Sequence, residues 1–382
     1  MRIAIIGNGR AGSTTARVLR ETYGYAVDVF SDEGALHYSR PALMYVSMGA
    51  VDASVVVAAL PDAQHRTIDS LDELDGYDAI VIATGSMPAL PNWCAMVDEH
   101  VQCYTQWSDV AHLEHAIVSK KRCVVIGGGL LGAEVAEVLH HRSAHYQWLL
   151  RDGGVFADVL PREESELITR HMQDDGIRMA LNADVVSIVR EGARVTGVLL
   201  HSGEIVPCDH VIMATGARPS IALAQRAGIP TDVGIVVDAS FRTSRPNTYA
   251  VGDCAQPPWG LRATWHDARA QGEHVAHVIA GTASAYLPRL PSMQAKFLRK
   301  EWYSVGAIDA STSSWYWEDP VHQRSVRLHH IDNVLVGVQT VGVRLNREVC
   351  EEWIRQARTV DDVHGMFAHA VVDPEFTPKV TL

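Results

Sequence analysis

Apolar and polar positions along this chain fall into a pattern that occurs twice. Residues 2–12 read RIAIIGNGRAG and residues 122–132 read RCVVIGGGLLG. In each copy a short apolar, β-branched run leads into three glycines spaced Gly-x-Gly-x-x-Gly. The continuous run predicts a strand buried on both faces. Apolar residues then recur at helical spacing: Ala16, Val18 and Leu19 after the first copy, Val135, Ala136 and Leu139 after the second. That spacing predicts a helix with one face turned to a core. A second echo closes each half. Residues 78–88 (DAIVIATGSMP) and 209–219 (DHVIMATGARP) each predict a strand ending in Ala-Thr-Gly. One further strand end, residues 247–255 (NTYAVGDCA), comes only after the second repeat.

The glycine spacing has a physical reading. The first glycine permits a tight turn, the second lets a pyrophosphate approach the backbone, and the third lets helix and strand pack closely. The helix N-terminus then offers free N–H groups and the positive end of its dipole. Two copies, each after a strand and before a helix, predict two dinucleotide-binding domains of the Rossmann type. Because residues 247–255 follow the second repeat, the first domain is expected to be discontinuous, over 1–110 and 236–290. The second, over 111–235, is inserted into it. Residues 286–292 (YLPRLPS) read as a linker. Beyond them, strand-like runs at 325–328 and 334–338 and a helix at 347–357 predict a third, α+β domain over 291–382. The fold class is thus α/β.

Composition narrows the partners. The chain has 382 residues, of which 47% are hydrophobic and 20% charged, the balance of an ordered globular protein. A formal charge of −12 argues against nucleic-acid binding. The longest apolar run, near residues 54–60, falls short of the roughly 20 residues of a membrane span, so no membrane partner is expected. The N-terminus reads as a buried strand, not a secretion signal. Six scattered cysteines without a C-x-x-C fit a cytoplasmic protein with neither disulfide framework nor metal site.

Together, the two dinucleotide motifs, the paired Ala-Thr-Gly strands and the late Gly252-Asp253 resemble the pyridine nucleotide–disulfide oxidoreductase superfamily over essentially the whole chain. The resemblance implies FAD in the first domain, NAD(P)H in the second, hydride transfer from nicotinamide C4 to flavin N5, and a third domain that often forms a dimer interface. By the same resemblance Gly7, Gly9 and Gly12 hold the FAD pyrophosphate, with Thr84, Gly85 and Gly252 counted among the FAD contacts. Asp253 accepts from the ribityl chain beside a helix starting near Ala263. Gly127, Gly129 and Gly132, with Gly216, serve NAD(P)H. No cysteine precedes Cys94, which argues against thiol–disulfide chemistry at the flavin. The segment 31–45 instead resembles flavoproteins linked to rubredoxin, ferredoxin or nitrite reductase, and those similar to apoptosis-inducing factor. There Asp32 matches the ribose-binding acid, with Glu33 as competitor, Arg40 the arginine on the FAD phosphates, and Trp265 a tryptophan near the isoalloxazine.

Two departures stand out. The family's lysine beside flavin N5 is replaced by Tyr45, while its glutamate partner is retained as Glu134; both are candidate catalytic residues. The second nucleotide strand ends in Arg151-Asp152, where Arg151 suits a 2′-phosphate and Asp152 a ribose; the arginine favours NADPH. His266 is a candidate proton donor or a structural residue. His140, His141 and His145 include an i, i+4 pair, either a metal site on one helical face or a C-terminal cap. Trp302, Trp315, Trp317 and Trp353, with Trp259 and Trp265, suit either a substrate pocket or a core. Arg289, Lys296, Arg299 and Lys300 form a basic cluster, either a docking site for an acidic carrier or a solvated helix face. The sequence therefore points to an FAD-dependent NAD(P)H oxidoreductase serving a small redox protein. A flavoenzyme acting on a small organic substrate and an NAD(P)H-responsive sensor are the alternatives.

Overall fold

A computed structural model describes residues 1–33, 36–59, 63–94, 96–309 and 311–372. In chain order its main elements are β1 (Arg2–Ile6), α1 (Arg10–Tyr23), β2 (Ala26–Ser31), β3 (Ala63–His65), β4 (Ala79–Ile82) and β5 (Val101–Gln102). Then come β6 (Arg122–Ile126), α2 (Leu130–His141), β7 (His145–Leu149), α3 (Arg162–Asp174), β8 (Met179–Ala180), β9 (His210–Met213), β10 (Thr248–Ala250) and α4 (Trp265–Ile279). The C-terminal part holds β11 (Ser292–Phe297), β12 (Lys300–Gly306), β13 (Ser313–Asp319), β14 (Arg324–Ile331), β15 (Val334–Val341), α5 (Arg347–Arg355) and α6 (Val360–Met366). The chain divides into two compact units. One comprises Met1–Leu90, Thr105–Ala111 and Gly216–Pro288, the other Pro91–Tyr104, His112–Thr215 and Arg289–Leu382.

The first unit is built on a five-stranded parallel sheet in the order β10-β4-β1-β2-β3. Its central strands are apolar on both faces because helices cover both: Ile3, Ala4 and Ile5 of β1 and Val81 and Ile82 of β4 are fully buried. Helices α1 and α4 lie tightly together. A Cβ on Gly272 would sit 2.4 Å from the Ala11 carbonyl oxygen, and Thr15 Oγ1 donates to the Gly272 carbonyl at 3.0 Å. The late strand β10 pairs with β4 and so brings Gly252-Asp253 back to the first motif.

The second unit repeats the arrangement. Its parallel sheet runs β8-β7-β6-β9-β5, with the glycine-motif strand again central. The same unit carries an antiparallel sheet in the order β11-β12-β15-β14-β13. Its core gathers Val305, Val326, Leu328 and Val338 with Trp353 and Phe367. A buried ion pair ties this sheet to the nucleotide-type core. Arg327 of β14 donates to both oxygens of Glu164 of α3, at 2.7 and 2.9 Å, to Glu163 at 3.0 Å and to Ser314 Oγ at 2.9 Å. Its guanidinium also lies over Tyr316, 4.3 Å from the ring centroid. Every charge in this contact has a partner, as burial at this depth requires.

Several sequence alternatives resolve here. His141 ends α2 while His145 begins β7, so the three histidines do not share a helical face. Trp302, 3% exposed, is buried against Phe156, and Trp353, 4% exposed, belongs to the core against which the partly buried Trp315 and Trp317 pack, so these tryptophans serve packing. The basic cluster lies around the β11–β12 hairpin, not on a helix. There Lys300 Nζ donates to the His322 carbonyl and Arg299 lies 3.8 Å from Asp175.

His210, on β9, is 4% exposed, and its Nε2 is buried without a hydrogen-bond partner among the described residues. Burial first, then His100, Lys121, His112 and His115, hold its pKa down to about 4. The unfolded chain takes up this proton near 6.5 and the folded one only near 4, so stability falls on acidification through that window. Chemical denaturation at pH 7 and pH 4.5 should show wild-type stability dropping by about 2–3 kcal/mol more than that of His210→Gln.

Candidate functional site

In the first unit the site grows out of the turn after β1. Gly7 has φ +110°, and a Cβ there would lie 2.1 Å from the Ala83 carbonyl oxygen; on Gly12 it would lie 2.1 Å from the Gly7 carbonyl oxygen. These two glycines are demanded by the protein itself. Gly9 is different. Its φ of −70° suits any residue, and a Cβ would meet nothing within 4 Å. Gly9 also caps α1 without a side-chain hydrogen bond, and the first turn carries no acid. A bare helix N-terminus, kept clear where packing does not require it, fits a pyrophosphate. The FAD implied by the sequence is therefore compatible with the residues present.

Other predicted FAD residues converge on this terminus. Gly252 (φ +78°) donates its N–H to Gln271 Oε1 of α4 at 2.8 Å, and its Cβ position lies 3.0 Å from Ala11. Asp253 is partly buried and accepts from Ser86 Oγ at 3.1 Å. Burial raises its pKa, leaving a carboxylate that gains from a further hydroxyl donor. Thr84 Oγ1 donates to the Ser220 carbonyl at 2.8 Å and Gly85 takes φ of +64°; Gly216, expected to serve NAD(P)H, falls in this same unit with φ of +102°.

At the end of β2 the two acids part. Asp32 is exposed. Glu33 is turned inward and accepts from both Tyr38 Oη and Arg40 Nη2. Arg40 Nη1 also donates to the Thr105 carbonyl, and the Trp107 N–H donates to Tyr38 Oη at 3.1 Å. Next to this network His37 Nδ1 donates to the Asn8 carbonyl at 3.0 Å, fastening residues 36–38 to the glycine turn. Burial first, and the charges of Arg10 and Arg40 after it, lower the His37 pKa. Neither Tyr38 nor His37 was anticipated as part of the site. The nearest signal was their place within the segment 31–45, between the acids and Arg40.

Helix α4 is capped by Thr264, which accepts from the Asp267 N–H at 3.1 Å. Trp265, its first residue, is partly buried with the Arg10 guanidinium over its ring, while His266 is exposed and edge-on to Trp265 at 5.2 Å. Tyr45 lies on the short helix Leu43–Ser47 and is 38% exposed.

The second unit rebuilds the same cradle. Gly127 (φ +124°) would place a Cβ 2.1 Å from the Ala214 carbonyl oxygen, and Gly132 one 2.1 Å from the Gly127 carbonyl oxygen. Gly129 has φ −86° and no contact within 4 Å. Trp148 seals the turn from below, its indole N–H donating to the Gly127 carbonyl at 2.8 Å. Glu134, one turn into α2, has its pKa raised to about 7 by burial and by Glu137. Arg151 is exposed and lies 3.2 Å from Asp152 and 3.3 Å from Asp158.

The family model described as pyridine nucleotide-disulphide oxidoreductase matches residues 1–272. This chain belongs to that family. It is an FAD-dependent NAD(P)H oxidoreductase. Among curated relatives, the rubredoxin-NAD(+) reductase of Ectopseudomonas oleovorans is 29% identical over 314 residues, 74% of this chain and 81% of that protein. A ferredoxin reductase of Rhodopseudomonas palustris, of known structure, is 25% identical with a TM-score of 0.79, over 98% of this chain and 96% of that one. The reductase of a covalent putidaredoxin reductase–putidaredoxin complex shares the fold, with a TM-score of 0.81 and 21% identity over 94% and 99% of the two chains. Among the described residues no helix is long and apolar enough to cross a membrane.

The two kinds of glycine separate in a mutational test. Gly9→Val should keep the native circular dichroism and melting profile of the flavin-free chain but purify without bound flavin. Gly12→Ala, which drives a methyl into a carbonyl, should lower stability by about 3 kcal/mol or more.

Proposed function

We propose that this protein oxidises NADH in the cytoplasm and delivers the electrons to a small redox protein of the rubredoxin or ferredoxin type. One observation carries the choice of acceptor. All six cysteines are buried, and none precedes Cys94, so the chain offers no accessible thiol to relay electrons. The acceptor must then take electrons without a cysteine of this chain. The relatives named after rubredoxin, ferredoxin and putidaredoxin support a protein acceptor. The small-molecule alternative loses Trp302 and Trp353, which are buried in packing, and keeps only Trp265 and His266.

In this reading FAD, when bound, supplies a two-electron acceptor for the hydride of the nicotinamide. The first motif, with Gly7, Gly9, Gly12 and Gly252, holds its pyrophosphate and Asp253 its ribityl hydroxyls; Thr84 and Gly85 shape the adjoining wall. Glu33, held by Arg40, is the better placed ribose acceptor, with Asp32 as the exposed alternative. Gly127, Gly129, Gly132 and Gly216 orient the nicotinamide cofactor. Trp265, His266 and Tyr45 line the reacting region. Residues 1–110 with 236–290, 111–235 and 291–382 form the FAD, nucleotide and interface domains, the last serving a homodimer.

Cofactor choice follows from charge. Arg151 faces two carboxylates, so the trio carries a net charge of about −1 at neutral pH, and a 2′-phosphate would meet repulsion there. This reverses the preference drawn from Arg151 alone. In anaerobic stopped-flow mixing, NADH should bleach the flavin band at least about tenfold faster than NADPH at equal concentration, the ratio that about 1.4 kcal/mol yields. The reduced protein should then reduce a rubredoxin or a ferredoxin with rates that fall as salt rises. Reduction of ferricyanide but of no carrier protein would overturn the proposed acceptor.

Glu134 sets the pH dependence. A carboxyl titrating near 7 is neutral below that pH and anionic above it, and the anion favours the positive charge that develops on the nicotinamide as it loses hydride. The bleaching rate should therefore rise between about pH 6 and 8 in the wild type and be flat in Glu134→Gln.

A further inference from the structure

Arg10 is the residue that the glycine pattern leaves free, at the first position of α1 directly after Gly9. Its guanidinium carbon lies 4.0 Å from the centroid of the Trp265 ring. Trp265 is the first residue of α4. The stack therefore joins the starts of the two helices that pack along each other through Thr15 and Gly272. Arg10 Nε is buried without a hydrogen-bond partner, and no carboxylate pairs with Arg10 among the described residues. The charges that act on it have the same sign. Burial first, then Arg269 and Arg17, disfavour its protonated form, yet a guanidinium does not give up its proton in a protein.

A cation held at a helix N-terminus, without an acid in that first turn and among other cations, lacks its counter-charge within the protein. The contact with the aromatic ring compensates in part. It leaves the guanidinium N–H groups without a carboxylate and able to serve an anion. The group placed at this terminus is the FAD pyrophosphate, and the inference rests on that reading.

We propose that Arg10 is a positioning residue that couples the FAD pyrophosphate to Trp265. With its carbon over the indole, its guanidinium donates to the phosphates and holds the ring in place at the start of α4. Lysine would carry the same charge without the flat face or the fixed edge.

The test follows release of FAD from the holoenzyme on dilution, read by recovery of flavin fluorescence, with melting of the flavin-free chain as a control for folding. Arg10→Ala should raise the FAD dissociation constant roughly tenfold to a hundredfold, the range of a charge-assisted hydrogen bond. Arg10→Lys should fall between Arg10→Ala and the wild type. Added KCl should accelerate release less in Arg10→Ala than in the wild type, a difference that loss of packing alone would not produce. In a Trp265→Leu background the further effect of Arg10→Ala should shrink to about threefold or less, as coupled neighbours do. Unchanged FAD retention and salt dependence in Arg10→Ala, with Gly9→Val losing its flavin, would overturn the role of Arg10 while leaving the site intact. Retention of flavin by Gly9→Val would instead remove the site reading on which the inference stands.

Discussion

The molecule depends on a contact that only glycine allows. In each unit a helix enters so close to the strand before it that a methyl group on the third glycine of the motif would sit 2.1 Å from a carbonyl oxygen. That approach sets the height of α1 over β1 and of α2 over β6, and with it the point at which each helix N-terminus emerges beyond the sheet. Sheet order follows suit: the motif strand is central in both units, flanked on the same side by the next strand in sequence. Once the two strands and the helix are fixed, the bare N–H groups of the first turn have nowhere to point but the mouth of the sheet, the usual place for ligands in open parallel sheets.

Around this repeated frame the two units diverge in how they handle charge. The first keeps its cations near the glycine turn only partly compensated. Glu33 answers Arg40, while Arg10 meets an indole. The second internalises charge at the Arg327–Glu164 pair, which joins an antiparallel sheet to α3 and matches both carboxylate oxygens to guanidinium N–H groups. One arrangement suits a surface awaiting an anionic cofactor; the other suits a permanent interior contact. Glu134 sits between these cases, a carboxyl whose burial and neighbouring acid keep it near its titration point.

Burial and the neighbouring Glu137 leave α2 with a carboxyl, Glu134, that carries a proton part of the time near neutral pH. Likewise, Asp152 and Asp158 reshape the meaning of Arg151: an arginine that alone suits a phosphate becomes part of an anionic group.

By itself the sequence determined the α/β class, both nucleotide cradles and the return of Gly252-Asp253 to the first motif. These rest on glycine spacing and on apolar runs, which report local backbone geometry and burial. It also marked the strands around 325–328 and 334–338 and the helix beginning at Arg347, all of which form. Tertiary structure decided the remainder. Whether Trp302 and Trp353 line a cavity or fill a core, which of Asp32 and Glu33 turns inward, whether His141 and His145 share a face, and what lies over Trp265 all depend on residues distant in sequence. Side-chain direction and ionic partnership arise from packing between elements, and no spacing along the chain encodes them.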